Sequence, residues 1–141
     1  MPIKELAGYY ADLTDAPRKS ELVYLIASIG SAEALQALER MFAVEQSVGL
    51  RADILDAMSD FKLPEAVASV GKGLNAKLPV DVRLAAIDAL VFMNATNAVP
   101  LLEKLYSDPD SQIQQEARAA VEMLQTPVMS PAQFREMFQK K

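Results

Sequence analysis

When the chain is slid against itself by 32 residues, the same apolar stripe returns along nearly its whole length. Leu35, Leu38, Met41 and Phe42 fall on Val67, Val70, Gly73 and Leu74, then on Val99, Leu102, Leu105 and Tyr106, and finally on Pro131, Phe134, Met137 and Phe138. Offsets of three, six and seven residues place each set on one side of a helix. A second stripe stands in front of the first: Leu22, Val23, Leu25 and Ile26 align with Ile54, Leu55, Ala57 and Met58, and again with Ala86, Ile87, Ala89 and Leu90. The fourth copy, Ile113, Ala117, Ala120 and Val121, comes at spacing 31, and one extra residue near Thr126-Pro127 restores the register. Each repeat is therefore a helix pair. One pair cannot bury both of its stripes, whereas stacked copies can.

Punctuation agrees with this division. Asp15-Ala-Pro17, Leu63-Pro64-Glu65, Leu78-Pro79, Asp108-Pro109-Asp110 and Ser130-Pro131 stand where helices should begin, and Ser31 and Thr96 or Asn97 can cap the remaining second helices. The spacing predicts nine helices, over 3–13, 17–29, 32–44, 48–60, 65–75, 80–93, 97–107, 111–124 and 131–139. They divide one all-α domain, 1–141, into a capping helix within 1–14 and four repeats at about 15–46, 47–78, 79–109 and 110–141. Ile3, Leu6, Tyr10 and Leu13 give the first helix a face that can cover the first pair, and the last helix is expected to close the far end. With aromatics at 6% and no tryptophan, the core must be built from aliphatic residues and Met.

Within the repeat, an aliphatic residue followed by a base, with a small and then a large apolar residue further on, recurs as Val82-Arg83 with Ala86, Ala89 and Leu90, and as Leu50-Arg51 with Ala57 and Met58. In this the sequence resembles the HEAT repeats, most closely the short bacterial type named after phycobilisome lyases. The resemblance implies a right-handed α-α superhelix whose second helices line the concave side. It also implies a ladder of Asp and Arg near the first helices of successive repeats. Asp81 with Arg83 keeps both members here, Arg51 and Lys19 keep the base, and Gln114 has lost it.

The same resemblance makes the exposed residues of the second helices the candidate binding surface. They are Glu33, Gln36, Glu39 and Arg40 on the first, Glu65, Ser69, Lys72 and Asn75 on the second, and Asn97, Glu103, Lys104 and Ser107 on the third. For any one of these residues, a solvated helix face with no partner is an equally good account. Gly71-Lys72-Gly73 is unusual inside a helix, where each glycine costs about 1 kcal/mol relative to Ala. Gly73 takes a core position that is Met41 and Leu105 in its neighbours, so close packing is the expected reason. Gly71 replaces Glu39 and Glu103, leaving either a tight contact or a flat spot for a partner. Of Tyr9 and Tyr10, one should be core. The segment Ser130–Lys141 reads as an amphipathic helix that could dock into a groove on another molecule, although its agreement with the 32-residue register favours packing on its own repeat.

Catalysis is poorly supplied. Histidine and cysteine are both absent, which removes the usual general base near neutral pH, thiolate nucleophiles and most transition-metal ligands. Asp53, Asp56 and Asp60 share one side of a helix, but a straight row cannot wrap a cation, and a solvated acidic face is the better reading. No cofactor or metal site is expected. A net charge of -5, with eleven acids against six bases in residues 1–70, argues against nucleic acid. No apolar run is long enough to span a bilayer, and the first residues lack a signal peptide's pattern, so a cytoplasmic location is expected by default.

These features point to a non-catalytic adaptor that binds a protein or peptide of basic or mixed charge on its concave face, as a monomer or weak homo-oligomer. The alternative, which the resemblance alone suggests, is a subunit of a bilin-lyase-like or other protein-modifying enzyme.

Overall fold

The computed structural model describes residues 3–126, together with 132, 135 and 136. Among the described residues there are eight α-helices and no strand. They are α1 (Ile3–Asp12), α2 (Ala16–Ile29), α3 (Ala32–Val44), α4 (Val48–Met58), α5 (Glu65–Gly71), α6 (Val80–Phe92), α7 (Val99–Glu103) and α8 (Ser111–Gln125). Apart from residues 132, 135 and 136, the expected ninth helix and closing cap at 131–139 lie outside the described residues.

The helices form two layers. The first helices α2, α4, α6 and α8 each pack on the next, while α3 fits against α2 and α4, α5 against α4 and α6, and α7 against α8. The helix α1 lies beside α3 and α2, where it buries Leu6 and Tyr10. The core runs unbroken through both layers. Val23, Ile26, Leu38, Ile54, Leu55, Met58, Ile87, Leu90, Leu102 and Ile113 are all fully buried, so both apolar stripes are covered by neighbouring pairs.

Local chemistry sets the helix ends. Ser31 caps α3 by accepting from the Ala34 amide at 3.1 Å, Ser47 caps α4 through Leu50 at 3.3 Å, and Asp110 caps α8 through Ile113 at 3.0 Å. Pro17 and Pro100 occupy the first turns of α2 and α7, where the missing N–H costs nothing. Helix α2 ends at Gly30, whose φ of 70° lies in the left-handed region that a side chain resists, and its N–H closes the last turn on Ala27.

Three expectations need correction. The second helices are not uniform: α5 tightens into a 3₁₀ turn at Lys72–Leu74, and α7 is flanked by 3₁₀ turns at Thr96–Ala98 and Lys104–Ser107. Neither Thr96 nor Asn97 caps α7, since the 3₁₀ turn comes first and no side-chain cap bond forms. Leu25 is 53% exposed although its counterparts Ala57 and Ala89 are buried, because no first helix among the described residues packs on the side of α2 away from α4. By contrast, a Cβ on Gly73 would lie 2.8 Å from the Ala86 Cβ and 2.9 Å from Leu55 Cδ2, so the glycine is what lets the 3₁₀ turn after α5 approach α4 and α6.

Candidate functional site

The second-helix layer presents a charged face. Glu33, Gln36 and Arg40 on α3, Glu65 at the start of α5, Lys72 and Asn75 after it, and Glu103 and Lys104 at the end of α7 are all exposed. Two of the proposed residues differ. Glu39 is only partly exposed because its carboxylate bridges α3 to the next second helix, accepting from the Ser69 hydroxyl and from Lys72 Nζ at 3.3 Å. Ser69, expected on the surface, is 2% exposed: it faces α3 and also bonds the Glu65 carbonyl at 3.2 Å. Asn75 serves its own turn, its side-chain oxygen accepting from the Lys77 amide at 2.9 Å. Gly71 leaves no open flat spot either, since a Cβ there would meet Leu101 Cδ1 at 3.3 Å.

At the N-terminal end of this layer, a groove of about 610 Å³ opens beside α1 and α3, lined by Tyr10, Lys19, Arg40, Met41, Val44 and Glu45 among others. Tyr10 is buried and its hydroxyl donates to Glu45, while Lys19 Nζ lies 3.5 Å from the same carboxylate and 4.9 Å from the centre of the Tyr10 ring. Burial and the Glu45 carboxylate together push the Tyr10 hydroxyl pKa well up. Burial would raise Glu45 too, but bonds from Tyr10, from the Ser47 and Gln46 amides and from Lys19 outweigh it and hold the carboxylate below its ordinary range. The network is saturated within itself. What the groove offers to a partner is its apolar lining, Val44 at 71% exposure, and Arg40, which has no ion pair among the described residues.

The charged ladder takes a different form from the one expected. Arg83 does not pair with Asp81, which is exposed on the first turn of α6; it reaches Asp108 in the turn before α8, at 2.5 Å and 3.3 Å, with its Nε 3.4 Å from the Leu74 carbonyl. Lys19 makes the corresponding contact with Glu45 ahead of α4. Both acids stand two residues before the N-cap of the following repeat, and each accepts from that residue's amide, Ser47 for Glu45 and Asp110 for Asp108. Arg51 occupies the same register between them without such a partner: its Nε is buried and unbonded, and its guanidinium lies 5.8 Å from the Phe42 ring. Both acids were legible as Glu45-Gln-Ser47 and Asp108-Pro-Asp110, an acid two residues ahead of a capping residue, but the pattern of the first helices alone draws attention to Asp81.

The opposite, first-helix face carries acidic side chains above apolar grooves. Tyr24 of α2 donates to Asp56 of α4 at 2.8 Å, and burial together with Asp56, Asp53 and Asp60 pushes its hydroxyl pKa up. Two adjoining grooves run from there, one between α4 and α6 and one between α6 and α8, with Asp88 on the edge of both. Among the described residues no group of three or more acidic side chains is arranged to hold a metal ion. No helix among them is long and apolar enough to cross a membrane.

A family model of HEAT repeats matches residues 45–122, more than half of the chain. The chain belongs to the HEAT-repeat family. Among solved structures it is similar to human deoxyhypusine hydroxylase in complex with glycerol, with a TM-score of 0.76 and 16% sequence identity over 92% of this chain. The HEAT chain described here spans 48% of that protein's length, and at this identity the likeness is one of fold. A search of curated proteins gave no match. Neither comparison bears on the narrower resemblance to the phycobilisome-lyase type.

Proposed function

We propose that this HEAT domain is a protein-binding module that presents its second-helix face to a protein or peptide of basic or mixed charge. HEAT repeats are protein-interaction scaffolds, and the family assignment supplies that general role. The observation that carries the choice of face is the Glu39–Ser69–Lys72 bridge. It fixes α3 against α5, so Glu33, Gln36, Arg40 and Glu65 stand on a pre-set surface that loses little freedom when a partner docks. Further along, Glu103 and Lys104 extend the same mixed-charge face.

The test is affinity capture with wild type and with a Glu33→Lys, Glu65→Lys, Glu103→Lys triple variant, leaving the bridging Glu39 intact. The expected result is a protein retained by wild type and lost with the variant, at unchanged thermal unfolding. Equal retention by both would remove the second-helix face from consideration.

A further inference from the structure

The first-helix face combines two features that seldom occur together on a merely solvated surface. Its grooves have an apolar floor and an acidic rim, and neither is lined by a Lys or Arg. The first, about 360 Å³, is floored by Ala52, Ala85 and Ala89 between α4 and α6, with Asp56 and Asp88 on its sides and Phe92 at one end. The second continues between α6 and α8 past Val91 and Ala119 to Glu116 and Met123, sharing Asp88 with the first. Phe92 is 71% exposed and Met123 61%, large apolar side chains with nothing from this chain over them among the described residues. Burial, and then the charge of Glu116, raise the Asp88 pKa, as expected where like charges meet without a neighbouring base.

We propose that this face docks a basic amphipathic helix of a partner protein, with Lys or Arg side chains meeting Asp56, Asp88 and Glu116 and apolar residues covering Phe92 and Met123. The alanines keep the floors low enough for a partner's side chains to enter, and the carboxylates select against an acidic partner. Spacing fits as well. Packed helices stand about 8–10 Å apart, and seven residues of a helix advance about 10.5 Å. A helix crossing α4, α6 and α8 therefore brings bases at i, i+7 and i+14 to the three carboxylates in turn. This surface is separate from the second-helix face and does not depend on it.

The probe is a fluorescent synthetic helix with Lys at i, i+7 and i+14 and Leu at the intervening i+3 and i+4 positions, measured by anisotropy at low salt against the full chain. Two controls are the same peptide with Glu for Lys and one of identical composition in scrambled order. Wild type should bind the probe at least about tenfold more tightly than either control, and an Asp56→Lys, Asp88→Lys variant should lose about tenfold or more (~1.4 kcal/mol). Phe92→Ser, which leaves every charge in place, should weaken the probe several-fold and serves if the charge variant fails to fold. The Glu33→Lys, Glu65→Lys, Glu103→Lys variant changes net charge further but should bind the probe nearly as well as wild type. No binding by wild type, equal binding of the scrambled peptide, or equal loss in both charge-reversal variants would overturn the assignment.

Discussion

Arg83 of α6 and Asp108 ahead of α8 are joined by two guanidinium–carboxylate bonds, with both side chains almost wholly buried. Arg83 contributes through geometry as well as charge, since its fork engages both carboxylate oxygens while Nε turns to the Leu74 carbonyl. The pair links the first helix of one repeat to the turn that starts the next, so it fixes the spacing at which successive helix pairs stack.

Asp108→Ala should therefore cost about 3–5 kcal/mol in chemical denaturation, because it strands a buried guanidinium. Arg51→Met, one repeat earlier, should change stability by less than about 1 kcal/mol, since Arg51 has no carboxylate partner among the described residues and its stem is replaced by an apolar side chain. A similar large loss for both substitutions would contradict the assignment of the gap in the ladder.

The two glycines around Lys72 should respond with opposite signs. Gly73→Ala places a methyl 2.8 Å from Ala86 Cβ, and overpacking of about 1–3 kcal/mol exceeds the conformational gain. Gly71→Ala meets only the mobile end of Leu101 at 3.3 Å, so the gain in helix preference, about 1 kcal/mol, should survive in part and raise Tm.

Tyr10→Phe should destabilise by about 1.5–3 kcal/mol, the range for a hydrogen bond to a charged group. The ring still fills its site, while buried Glu45 loses the hydroxyl that holds its charge. Thermal unfolding of the variant should show the loss at pH 7 and less of it once the pH falls below the lowered folded pKa of Glu45.

Acid should weaken the fold through Glu45 and Asp108. Both have folded pKa values below their ordinary ones, Asp108 chiefly because of Arg83. Unfolded Asp and Glu titrate at about 3.9 and 4.3, so their contribution is complete above that range and is lost as pH falls through the lower folded values. Asp88 has the opposite sign: its folded pKa is raised, so its charge opposes folding at neutral pH. Asp88→Asn should raise Tm at pH 7 and leave it unchanged near pH 3, which paired thermal melts would read directly.

The pairing of helices was legible because burial repeats with the sequence: Leu38, Val70 and Leu102 are 32 residues apart and all fully buried. Of Tyr9 and Tyr10 the core member is Tyr10, which shares a helix face with Ile3, Leu6 and Leu13 at helical spacing. The polarity of Ser69 suggests exposure, whereas Glu39 on the neighbouring helix satisfies its hydroxyl in the interior. The sequence pattern places Asp81 beside Arg83 on one helix, whereas the partner of Arg83 lies 25 residues on, in the turn before α8. The first-helix grooves could not be read at all from one helix at a time, since Asp56, Asp88 and Glu116 come together only after α4, α6 and α8 are stacked.

Docking of a protein partner on the second-helix face would shield the backbone amides there. It is tested most directly by hydrogen exchange of the chain with and without the captured partner. Slower exchange is expected, concentrated at the exposed ends and turns of α3, α5 and α7, around Glu33–Arg40, Glu65–Asn75 and Glu103–Ser107, with α2, α4 and α6 little changed. Protection confined to the first helices, with the second helices exchanging as before, would contradict it.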